Sequence, residues 1–111
     1  MGYDVHITRK KLWWNEDGPV ITAEEWLRYV ASDPQLRLDP TSERHSVTIN
    51  IQSDFPDPWL EWFDGDIYSK NPDEAIRGKM IQIATALGAK VQGDDGEIYR
   101  SGKADDYYYD E

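Results

Sequence analysis

The sequence predicts an α+β domain, a mostly antiparallel sheet with two helices on one of its faces, in the order β-α-β-β-β-α-β-β. Three observations predict it. Residues 3–9 and 46–52 carry apolar side chains at every second position, the period of a strand with one buried face. Two segments beginning at Thr22 and Asn71 open with helix-capping chemistry and continue with apolar residues three and four apart. Asp64-Gly65 and Gly93-Asp94-Asp95-Gly96 each separate two strand-like runs, as hairpin turns do.

In the first strand Tyr3, Val5 and Ile7 alternate with Asp4, His6 and Thr8. The pair Trp13-Trp14 follows, and Asn15 to Pro19 reverses the chain, because Asn, Asp and Gly tolerate positive φ and Pro lacks a donor. Thr22-Ala-Glu-Glu25 is a capping box, in which the Thr22 hydroxyl takes the amide of residue 25 and the Glu25 carboxylate reaches back to residue 22. Ala23, Trp26, Leu27 and Val30 form the apolar stripe of that helix, and Pro34 ends it by disfavouring helical geometry at Asp33. Residues 33–45, with Asp-Pro steps at 33–34 and 39–40, read as a surface loop.

The next strand puts Val47, Ile49 and Ile51 on one face and Ser46, Thr48, Asn50 and Gln52 on the other. Pro56 and Pro58 break the chain before a hairpin of 59–63 and 66–70 about Asp64-Gly65. Asn71 as N-cap, Pro72 at the first helical position and acids behind it open a second helix. Its stripe is Ile76, Met80, Ile83, Ala84 and Leu87, and Gly88 supplies the left-handed residue after it. Residues 89–92 and 97–100 form the last hairpin. The domain is expected to span 1–102, with 103–111 as an acidic, Tyr-rich mobile tail.

A chain of 111 residues holds one domain of the usual size of roughly 100–150 residues. Without Cys it has no disulfide, no thiolate and no Cys-bound zinc. Its apolar stretches fall far short of the roughly 20 residues that span a bilayer, and Met1 to Asp4 has no leader pattern, so a soluble cytoplasmic protein is expected. The net charge of −10 opposes direct binding to nucleic acid or to an anionic membrane. His6 and His45 are too far apart for a close-spaced metal motif, and there is no nucleophile elbow, phosphate loop or kinase signature. Asp64–Asp66 and Asp94–Glu97 do not continue as calcium loops. No catalytic residue, cofactor or metal ligand is therefore assigned, although a carboxylate pair assembled by the fold would be invisible at this level.

Charge is unevenly spread. Segment 53–74 holds seven acids against Lys70, segment 93–111 seven against Arg100 and Lys103, and segment 75–92 only bases. Aromatics interleave with the acids, so Asp54, Asp57, Trp59, Glu61, Trp62, Asp64 and Asp66, with Asp94, Asp95 and Tyr99, are the expected contacts of a basic protein partner. The competing reading makes Trp59, Trp62 and Phe63 core residues and the acids a solubilising surface. An alternative site is the sheet face left uncovered in a two-layer fold, with His6, Thr48, Asn50 and Tyr68, joined there by Trp62, as a small-molecule or enzymatic surface. A third reading is nucleic-acid mimicry against a DNA-binding protein.

Gly2-Tyr-Asp-Val-His-Ile-Thr-Arg9, Trp13-Trp14, the helix from Ile21 through Pro34, and Lys70 through Tyr99 together resemble a group of small uncharacterised bacterial proteins, outside 35–58 and the tail. That resemblance transfers no activity. In size and acidity the chain is similar to immunity proteins, which bind and block a cognate toxin domain. The likeness implies a basic toxin domain as partner, blocked by occlusion of its active site.

Overall fold

The computed structural model describes residues 2–110. β1 (Asp4–Thr8) leads to α1 (Ala23–Ser32), then β2 (Leu36–Leu38), β3 (Val47–Ile49), β4 (Trp59–Phe63) and β5 (Asp66–Lys70). α2 (Glu74–Leu87) follows, with β6 (Lys90–Gly93), β7 (Ile98–Tyr99) and β8 (Tyr107–Tyr108) closing the chain. Among the described residues the strands form one sheet of eight in the order β2-β3-β4-β5-β1-β6-β7-β8, antiparallel at every pairing. The fold is α+β with the predicted succession of elements, joined by two short strands, β2 and β8, at the two edges of the sheet.

β1 lies inside the sheet because its register satisfies both neighbours: His6 stands opposite Tyr68 of β5 and Gln92 of β6. Val5 and Ile7 point to the helical side. There they meet Leu60, Ile67 and Val91 of the sheet, Trp26 and Val30 of α1, and Ile76, Met80, Ile83 and Ala84 of α2 in one buried cluster. Both helix stripes face this core, as their spacing requires.

The capping box of α1 forms as predicted: the Thr22 hydroxyl accepts the Glu25 amide and the Glu25 carboxylate accepts the Thr22 amide, each at 3.1 Å. α2 begins later than expected. Asn71 sits in the left-handed region at φ 48°, so Asp73 becomes the N-cap and its carboxylate accepts the Ile76 amide at 2.9 Å. Gly88, at φ 65°, ends the helix and donates its amide back to Ala84 and Thr85.

β2 lies within the segment read as a loop. Leu36 and Leu38 pair with Ile49 and Val47, and Leu36 is buried in the core. A three-residue strand between turn residues is too short for periodicity to register. β8 likewise lies in the expected tail: Tyr107 pairs with Tyr99, their rings meet edge to face, and the Arg100 guanidinium lies 4.5 Å over the Tyr108 ring.

The β4–β5 hairpin corrects one placement. Asp64 and Gly65 both have positive φ, 51° and 90°, as a two-residue primed turn requires, so Phe63 faces Asp66, Trp62 faces Ile67 and Glu61 faces Tyr68. Trp62 therefore shares the helical face with buried Ile67, not the open face with Tyr68. Its indole donates to the Ile21 carbonyl at 2.9 Å.

Candidate functional site

The period of two that sends Val5, Ile7, Leu60 and Ile67 to the core sends Asp4, His6, Thr8, Trp59, Glu61, Phe63, Asp66 and Tyr68 to the opposite face. The connection from β1 to α1 crosses that face. It is latched by Gln92, the β6 neighbour of His6, whose side chain accepts the Trp13 amide at 2.8 Å and donates to the Gly96 carbonyl at 3.1 Å. The Trp13 indole donates to the Asp94 carbonyl, and its ring stacks on His6 at 3.9 Å with planes 9° apart. His6 is thereby 6% exposed.

Between this strap and β4 a recess of about 590 Å³ opens, walled by Trp13, Trp14, Trp59, Phe63 and Tyr68, with Asp4, His6 and Asp66 also lining it. Asp94 organises one side: its Oδ1 meets His6 Nε2 at 2.9 Å and its Oδ2 accepts the Asp4 amide at 2.8 Å. On the other side the Tyr68 hydroxyl donates to Glu61 at 2.5 Å and accepts from Arg44 at 2.8 Å, while Arg44 lies 4.6 Å over the Phe63 ring. Burial, with the Glu61 hydrogen bond, pushes the Tyr68 phenol up, and Tyr68 stays neutral. Trp59 meets Tyr68 edge to face at 5.7 Å.

Two wall atoms stand apart. Asp66 Oδ1 and Asp4 Oδ1 are buried and accept no hydrogen bond from the described residues. Asp66 is 8% exposed, and burial raises its pKa although the Thr8 hydroxyl, Lys10 and His6 pull the other way. Buried acceptors without donors are rare in proteins, so a pair in the wall of an aromatic recess marks a place where a donor-bearing ligand would be satisfied.

The recess draws on both residue sets expected from the sequence. Trp59, Asp64 and Asp66 of the partner-binding set line it with His6 and Tyr68 of the alternative set. Other residues are committed elsewhere. Asp94 serves His6 and Asp4, and Glu61 accepts from Ser46 and Tyr68. Tyr99 donates to buried Glu97, which also takes the Tyr3 hydroxyl. Asp54, Asp57 and Asp95 are exposed outside the recess. Thr48 and Asn50 line a separate depression with Pro34, Gln35 and Asp57 near β2. Sequence reasoning missed Asp4, Lys10, Trp13, Trp14 and Arg44. For Asp4, Trp13 and Trp14 the signal existed, in Asp4 sharing a face with His6 and in a tryptophan pair in the connection after the first strand; nothing marked Lys10 or Arg44.

Among the described residues no three of His, Cys, Asp and Glu converge to hold a metal ion, and no helix is long and apolar enough to cross a membrane. Comparison of the chain with protein-family models, curated proteins and solved structures returned no match.

Proposed function

We propose that this protein is a binding protein that captures and neutralises a basic protein partner on the open face of its sheet, acting as a cytoplasmic immunity protein against a bacterial toxin domain. The observation that carries this reading is the aromatic recess with two donor-less carboxylate oxygens. Hot spots of protein interfaces are aromatic or arginine anchors and the desolvated pockets that receive them, ringed by polar residues that exclude water. Glu16 and Asp64 stand at the recess, and exposed Asp54, Asp57 and Asp95 add long-range attraction for a cationic surface. Occlusion follows, because a face that docks over a cationic cleft denies it to an anionic substrate.

Co-expression with the product of a neighbouring toxin gene tests this. Growth should be restored by the wild type and lost with Trp59→Ala, and association should slow steeply with salt, since exposed charges are screened over about 8 Å at 0.15 M. Absence of any toxic neighbour, together with no binding to basic domains at micromolar concentration, would overturn it. A second reading, capture of a small molecule, is favoured by the recess volume, which lies within the roughly 300–1,000 Å³ typical of ligand pockets.

A further inference from the structure

We propose that the recess is the receptor for one basic side chain of that partner, a lysine or arginine, seated on Asp66 with its aliphatic stem against the aromatic wall. The inference rests on the binding reading above and adds its anchor point.

Asp66 is the acceptor by position. It is 92% buried by its 8% exposure, it lines the recess, and its Oδ1 has no donor. A carboxylate in that state accepts hydrogen bonds only, and an ammonium or guanidinium makes the short, charge-assisted kind. Asp4 cannot share the same cation. The β1–β5 register, continued from Ile7 opposite Ile67, sets Asp66 beside Thr8, four residues along β1 from Asp4 and so roughly 13 Å away at the usual strand rise. Asp4 Oδ1 is left for a second donor at the far end.

Charge favours a cation. Asp4, Glu16, Asp64 and Asp66 line the recess against Lys10, Arg44 and Lys70. Arg44 is engaged by Tyr68 and Glu61, and Lys10, whose stem packs near Gly18, makes no ion pair with Asp66. The acids thus outnumber the cations still uncommitted. Trp14, Trp59 and Phe63 supply ring faces, which attract a cation further and shield it from water. A long basic side chain suits both features, since its stem is apolar and only its tip is charged.

The experiment uses the full chain and three side-chain probes, butylammonium, butylguanidinium and neutral 1-pentanol, followed by two-dimensional NMR of the indole N–H groups. The cationic probes should shift the Trp59 and Trp14 signals saturably in the millimolar range, at least tenfold more tightly than pentanol. Asp66→Asn should weaken them about tenfold, and Asp57→Asn, outside the recess, should not. Equal binding of pentanol would overturn the proposal and point to an apolar ligand. So would cationic binding unchanged in Asp66→Asn. The wild-type comparison of cationic and neutral probes stands even if a variant folds poorly. Failure of the parent reading is separable: probes that bind as expected while no basic protein domain binds the chain would sink neutralisation alone, whereas a basic domain held equally by wild type and Asp66→Asn would sink only the anchor.

Discussion

Replacing Lys79 with Met should destabilise the protein by about 3 kcal/mol. Lys79 projects from α2 into a site where its side chain is 3% exposed, and it donates to Asp33 Oδ2 at 2.7 Å and to Gln35 Oε1 at 2.6 Å. Asp33, 7% exposed, closes α1, so this contact ties the end of one helix to the middle of the other. Removing one member of a buried pair costs about 3–5 kcal/mol, because the other is left charged and desolvated. The lower end applies here, because Asp33 keeps the Tyr29 hydroxyl at 2.7 Å and the Gln35 amide at 3.0 Å.

Urea denaturation followed by tryptophan fluorescence measures the change, and the thermal midpoint should fall by roughly 12 °C at about 4 °C per kcal/mol for a domain of this size. The double variant Lys79→Met with Asp33→Asn should lose clearly less than the sum of the two, since no unpaired charge is left buried. Proton linkage gives the same signature. Burial alone would raise Asp33, but Lys79, Tyr29 and the Gln35 amide hold it below the usual carboxylate range. The stability it contributes is therefore complete above the unfolded value of about 3.9 and is lost as pH falls through the folded one. Lys79→Met should diminish that acid-side loss. A cost under 1 kcal/mol, or additivity of the two substitutions within about 0.5 kcal/mol, would refute the buried pair.

The recess carries the opposite sign. Because burial raises Asp66, its stabilising contribution is present below the unfolded pKa and lost as pH rises through the folded value, so Asp66→Asn should raise stability at pH 7 by about 1 kcal/mol, with the gain shrinking toward pH 3. A destabilised Asp66→Asn at pH 7 would contradict the donor-less oxygen. Glu25 is held down to about 2, chiefly by its hydrogen bonds to Arg9 and then by the Thr22 amide. Its contribution is complete above the unfolded value of about 4.3 and lost as pH falls through about 2. Carbon-detected NMR titration of Arg9→Met should move that midpoint up by more than one unit, and an unmoved midpoint would show that Arg9 is not the cause.

How much of the site was legible depended on how local its signals are. The Asp64-Gly65 turn fixes the pairing of Trp62 with Ile67 by counting outward from the hairpin, so the placing of Trp62 on the helical face was open to sequence reasoning. The cover over His6 was not. It depends on Gln92 and Asp94, whose bonds to Trp13 and His6 span 79 and 88 positions. Those same bonds remove Asp94 from the acids free to meet a partner, while Asp66 keeps a buried oxygen without a donor, a distinction that composition treats as one negative charge each.

The α+β class, both helices with their stripes, the capping box of α1, the Gly88 end of α2 and the two hairpins were determined by the sequence alone, because capping, turn geometry and periodicity act over a few neighbouring residues. Tertiary structure alone decided that Lys79 is buried, that Leu36–Leu38 and Tyr107–Tyr108 complete the sheet edges, and that Asp4 and Asp66, both lining the aromatic recess, each keep one buried oxygen without a donor. The physical reason is that hydrogen-bond satisfaction and desolvation are properties of a site assembled from distant segments, and neither is carried by any one residue or its immediate neighbours.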